Sequence, residues 1–189
     1  MKKIPIGIDN FNELISGNYY FTDKTLFIKD VMEEGSEILL IPRPRRFGKS
    51  LNMSMLRYFF TNKNAEKNRE LFNGLKIEKE AETMKLQGKY PLIYISLKDV
   101  KELSWENCYG KTKELIQSLF DEFNYLSESP ELSKLEKINF DNILLGQGTQ
   151  SNYESSLKFL SKLLYNHHGV KPIILIDEYD QPIISAYMN

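Results

Sequence analysis

The stretch that most constrains the fold runs from Ile38 to Ser50, Ile-Leu-Leu-Ile-Pro-Arg-Pro-Arg-Arg-Phe-Gly-Lys-Ser. Its four leading apolar residues, 38 to 41, predict a short buried strand. Pro42 and Pro44 end that strand, because proline cannot donate to a ladder. Leu51, Met55, Leu56, Phe59 and Phe60 then recur at the spacing of one helix face. A strand, a loop, Gly-Lys-Ser and a helix form the layout of a phosphate-binding P-loop. A helix start leaves backbone N–H groups unpaired and lies at the positive end of the helix dipole, so a polyphosphate settles there. Gly48 lets the backbone approach closely, Lys49 adds a point charge for the β- and γ-phosphates, and the Ser50 hydroxyl suits Mg2+. The pattern G-x-x-x-x-G-K-[ST] has glycine where this chain has Arg43, and Pro44 has no N–H to offer. Phosphate donors are therefore expected from Arg46, Phe47, Gly48, Lys49 and Ser50, with Leu51 at the same helix start.

A second stretch supports the first. Pro172-Ile-Ile-Leu-Ile-Asp177-Glu178-Tyr179-Asp180 is an apolar run that ends in two carboxylates. It predicts a buried parallel strand delivering acids at its C-terminal end, where open α/β sheets bind ligands. In a P-loop enzyme Asp177 would hold the Mg2+ shell and Glu178 would orient or deprotonate the attacking water. Acids at a strand end also cap turns; the P-loop upstream is what favours the catalytic reading here.

The strings Arg43–Ser50 (RPRRFGKS) and Asp177–Asp180 (DEYD), with the lead-ins Ile4–Ile8 (IPIGI) and Tyr19–Thr25 (YYFTDKT), resemble the predicted AAA-ATPase-like family of bacterial and archaeal proteins. An arginine at the first P-loop position is usual in that family, so the resemblance accounts for Arg43. It implies ATP and Mg2+ as ligands and a cytoplasmic setting. Family members typically carry a further C-terminal domain resembling PD-(D/E)XK nucleases, and nothing in this sequence corresponds to it.

The remaining composition excludes several classes. Of 189 residues, 41% are apolar and 27% charged, ordinary for a globular domain. Lys plus Arg number 25 against 26 Asp plus Glu, which argues against broad electrostatic binding to nucleic acid. One cysteine, Cys108, allows no intrachain disulfide and fits a reducing cytosol. No apolar run has membrane-span length, so no membrane partner is expected. No Cys/His cluster suggests zinc.

The other elements follow from local chemistry. A helix is expected from about Asp23 to Glu34, with Phe27, Ile28 and Val31 inward and Gly35 ending it. Tyr19, Tyr20 and Lys24, just ahead of the P-loop, are candidates for an adenine pocket, although the tyrosines read more simply as core. Further helices are expected over 64 to 72, from a Ser104 cap, from Ser129-Pro130, and from a Ser151–Glu154 capping box to about His167. Residues 91 to 97 predict another strand, Cys108 a small buried hydrophobe, and Gly146-Gln-Gly-Thr a turn. The adjacent His167 and His168 are poorly placed for one metal and read as positive charge favoured at a helix C-terminus.

The sequence thus predicts an α/β P-loop NTPase of AAA-like, ASCE type, with residues 1 to 37 as a lead-in covering the nucleotide site and 38 to 189 as its core. Lys49 and Ser50 would hold phosphate and metal, Asp177 the Mg2+ shell, and Glu178 the water. Two competitors are a nucleotide-dependent switch with little turnover and a P-loop phosphotransferase; Glu178 directly after Asp177 favours hydrolysis over the latter. An AAA-like sheet has a further strand between the P-loop strand and the Asp-Glu strand, and no sequence run supplies it. The expectation is a truncated core in which 38–41 and 173–176 are not directly paired, low in activity by itself and prone to self-associate.

Overall fold

The structure, a computed structural model, describes residues 2–42, 47–182 and Ile184. It is a mixed α/β chain forming two compact units, Met1–Leu92 and Ile93–Asn189.

The first unit is helical. It comprises α1 (Phe11–Ser16), α2 (Phe27–Glu33), α3 (Lys49–Phe60), α4 (Ala65–Arg69) and α5 (Ala81–Met84), with 3-10 turns at Glu70–Phe72 and Lys76–Lys79. Its core is aromatic. Phe11 stacks on Phe72 at 5.2 Å, and Phe59 meets both Phe60 and Phe72 edge-on. These rings are buried completely or nearly so, and such pairs add about 0.5–1.5 kcal/mol each beyond the area they bury. The buried Ser54 hydroxyl of α3 accepts the Phe11 N–H at 2.9 Å, so the start of α1 is tied to the middle of α3. Beyond α3, Gly88 donates to the Phe59 carbonyl, Tyr90 to that of Phe60, and Asn62 to that of Tyr90.

The second unit packs helices on a small sheet. β1 (Leu92–Ser96), most of which falls in this unit, pairs in parallel with β2 (Ile173–Asp177), and the Leu97 N–H donates to the Asp177 carbonyl at 3.0 Å. Ile93 and Ile95 of β1 enter a core with Ile116, Leu119 and Phe120 of α6 (Trp105–Asp121), Phe140 and Ile143 of α7 (Lys134–Leu144), and Leu160, Leu163 and Leu164 of α9 (Ser156–His168). The short α8 (Gln150–Glu154) precedes α9.

Several local expectations need correction. Residues 38 to 41 form no strand, and Ile38 and Leu40 are 88% and 62% exposed. An apolar run becomes a strand only when a neighbour takes its N–H and C=O groups, and among the described residues the sheet contains β1 and β2 alone. Ser129-Pro130 does not start a helix; α7 begins after Ser133, whose hydroxyl and Glu136 make a complete capping box. The box at α8 is likewise Thr149 with Asn152, in place of Ser151 with Glu154, and the chain bends at Ser155 before α9. Ser104 does cap α6, and Gly169 ends α9 at a left-handed φ of 69°. Cys108 is half-buried rather than buried.

Candidate functional site

Gly48 is the residue before α3 and adopts φ 72°, ψ 26°, a left-handed conformation that favours glycine. Its carbonyl accepts the Asn52 N–H at 3.0 Å and so closes the first turn. The N–H groups of Lys49, Ser50 and Leu51 lie ahead of that turn, where a helix has no carbonyls to offer them. Among the described residues a methyl at Gly48 would meet nothing within 4 Å. Among the described residues Lys49 makes no ion pair and the Ser50 hydroxyl no hydrogen bond. The far half of α3 is fixed by buried Ser54, Met55, Leu56, Phe59 and Phe60. An anchored helix thus starts with amides that no described residue pairs, which is the arrangement an anion needs.

The acids lie at the end of β2. Asp177 is the last strand residue and is buried, 6% exposed, while its backbone carbonyl accepts the N–H of Leu97, the residue after β1. Its Oδ1 accepts the Glu178 N–H at 3.1 Å. Glu178 is half-buried and takes φ 54°. That left-handed conformation costs a non-glycine residue about 1–2 kcal/mol, and strain of this kind gathers at functional positions. The turn continues through a bond from the Gln181 N–H to the Glu178 carbonyl.

The predicted site residues thus form two groups. Gly48, Lys49, Ser50 and Leu51 are together at the start of α3, beside Phe47, whose ring is 63% exposed. Asp177 and Glu178 are together at the end of β2, in the second compact unit. Arg46 lies outside the described residues, as do Arg43, Pro44 and Arg45. Tyr20 is 63% exposed and donates its N–H to the Lys3 carbonyl; Lys24 is exposed. Tyr19 is half-buried over Gly17 and bridges Lys3 in parallel. For Tyr20, then, the core reading fails.

The residues between these candidates do something the sequence reading missed. Asp23 accepts the Thr25 N–H and hydroxyl through Oδ1, at 2.9 and 2.7 Å, and the Lys76 N–H through Oδ2 at 2.7 Å. Burial pushes the Asp23 carboxyl up, but these bonds outweigh it and hold the group below its ordinary 3.8. Fully buried Thr25 in turn accepts the Ile77 N–H. The Thr-Asp-Lys-Thr string is a clamp on the 3-10 turn at Lys76–Lys79; an Asp-x-Thr turn was its legible signal. The histidines also differ from expectation. His167 Nδ1 pairs with the Ser129 hydroxyl at 2.7 Å and His168 Nε2 with that of Tyr125 at 2.8 Å. Burial, helped by His167, lowers the His168 pKa, which opposes the charged form expected at that helix end.

Comparison with known proteins places the chain in a class. The chain matches the family described as Predicted AAA-ATPase over residues 5–189, and it belongs to that family. The family implies an ATP-binding NTPase. A protein of Azotobacter chroococcum mcd 1 described as "Uncharacterized protein in vnfD 5'region" is 29% identical over 190 residues, covering 97% of this chain and 30% of its own length. No solved structure matches the chain. No described helix is long and apolar enough to cross a membrane.

Proposed function

We propose that the chain is an AAA-like, ASCE-type P-loop NTPase that binds Mg-ATP through the start of α3 and hydrolyses it with Glu178 activating water. The observation that carries the reading is Gly48 in a left-handed conformation ahead of an anchored helix, with Lys49 and Ser50 next in line. Helix amides and the Lys49 ammonium take the phosphates, and the Gly48 backbone approaches them without a side chain in the way. Among the described residues no three acid, His or Cys side chains cluster as a metal cage. Mg2+ keeps several waters and takes one or two protein oxygens beside the phosphates. Ser50 and Asp177 are the donors of this reading, and the ion would neutralise charge developing on the phosphoryl oxygens. Asp177 is buried and its Oδ1 is oriented by the Glu178 N–H, so it would bind from a fixed position.

Calorimetric titration with Mg-ATP tests the assignment. Lys49→Ala is expected to abolish tight binding, because the loop loses its ammonium partner for the phosphate charge. Undiminished affinity in that variant would overturn the P-loop reading.

A further inference from the structure

We propose that a cleft on the first unit, away from the start of α3, binds a small zwitterion of the α-amino-acid type. The cleft holds about 420 Å3 and lies among α1, the last turn of α3, α4 and the 3-10 turn at Glu70–Phe72. That volume falls within the range of about 300–1,000 Å3 found for small-molecule sites. Tyr58, which lines it, stands about 13 Å along α3 from Lys49. The cleft is therefore distinct from the proposed nucleotide site and does not depend on it.

Its polar groups carry both signs of charge and are not paired with one another. Lys67 and Glu70 both line the cleft, one helical turn apart. Elsewhere that spacing closes an ion pair, Lys111 with Glu114 at 3.5 Å and Lys85 with Glu82 at 2.7 Å. Among the described residues, Lys67 and Glu70 pair neither with each other nor with any other side chain. Asn68, also in the lining, is 7% exposed. Its Nδ2 donates to the Lys63 carbonyl at 3.0 Å, which fixes the amide and leaves Oδ1 an acceptor without a described donor. No side-chain oxygen or nitrogen of the described residues is both sealed from solvent and unpartnered, so Oδ1 reaches solvent, and Asn68 meets it at the cleft. On α1, Asn12 accepts the Ser16 hydroxyl through Oδ1 at 3.0 Å and keeps its Nδ2 hydrogens to donate. Asn64 precedes α4 without capping it, so its amide is available too. A ligand that satisfies this set carries both charges close together. Its carboxylate takes the Lys67 ammonium and the Asn12 amide, and its ammonium takes the Glu70 carboxylate and Asn68 Oδ1. Ile15 and Leu71 line the same cleft and give an apolar side chain a surface. An anion alone would meet Glu70 and a cation alone would meet Lys67, so ligands of single charge are opposed by one of the two.

Titration of the isotope-labelled chain with L-leucine, followed by two-dimensional NMR, tests this. Saturable shifts are expected at the amides of Asn12, Asn64, Lys67, Asn68 and Glu70, with those of Lys49, Ser50 and Leu51 unmoved. N-acetyl-leucine lacks the ammonium and leucinamide lacks the carboxylate, so each should bind about tenfold or more weakly for want of charge-assisted bonds. Lys67 and Glu70 are exposed, so variants there assign each end of the ligand without disturbing the fold. Glu70→Gln should weaken leucine and leave N-acetyl-leucine unchanged, whereas Lys67→Gln should weaken leucine and leave leucinamide unchanged. Amides of the cleft that stay unshifted up to the solubility of leucine would overturn the proposal. Equal affinity for leucine and both derivatives would do the same, as would shifts confined to the start of α3.

Discussion

Replacing Thr25 by valine removes one hydroxyl and little volume, so its cost can be worked from the bonds that hydroxyl makes. Thr25 is 0% exposed, donates to Asp23 Oδ1 at 2.7 Å, and accepts the Ile77 N–H at 3.1 Å. Losing the acceptor leaves the Ile77 amide unpaired in a buried site, at a cost of about 1–3 kcal/mol. Asp23 keeps its bonds from the Thr25 and Lys76 N–H groups, so the second loss is nearer about 0.5–1.5 kcal/mol. The added methyl returns about 0.8 kcal/mol of burial. Together these give a destabilisation of about 2 kcal/mol, read as a lower urea midpoint at unchanged slope. A shift below about 0.5 kcal/mol, the range of ordinary surface substitutions, would refute the clamp. The acid limb supplies a second check. Asp23 is held below its ordinary value when folded, so its contribution is present above the ordinary carboxylate range and is lost as pH falls through the folded value. The gap between parent and Thr25→Val should therefore narrow on acidification; a gap that widens would show that Asp23 is not the partner.

Glu178→Gln should keep ATP affinity within about tenfold while turnover falls about 10²-fold or more, the scale of a lost general base. Unchanged hydrolysis would make Glu178 structural. Glu178→Gly should be more stable than the parent by about 1 kcal/mol in thermal unfolding, because the φ of 54° no longer costs anything. Gly88→Ala should destabilise by about 2 kcal/mol or more: φ is +72° and the new methyl would fall 2.5 Å from the Ala65 Cβ. Adding Ala65→Gly should recover only the steric part in the same denaturation assay. Ser133→Ala breaks the capping box of α7 and should cost about 1 kcal/mol. It should also raise the Glu136 pKa, which NMR titration can follow. That carboxyl lies at about 2, first through its bond to Lys162 and then through those from the Ser133 backbone and hydroxyl.

What could be read from the chain by itself was set by neighbours in sequence. The Gly48 helix start, the Ser104 cap and the Gly169 stop all rest on bonds or dihedral limits spanning a few residues, and each is where the pattern puts it. What needed tertiary structure was every choice among locally equal options. Ser129 and Ser133 both suit a helix start; Ser129 instead meets His167, and the helix begins at Ser133. Residues 38 to 41 and 173 to 177 are both apolar and β-prone, yet only the second run is a strand, because β1 takes its backbone bonds. Asp23 reads locally as the start of a helix, but the turn at Lys76–Lys79, about fifty residues on, supplies the partners that Asp23 and Thr25 bind. A helix cap satisfies itself within one turn of chain, whereas a strand or a buried polar side chain needs groups that only folding brings near.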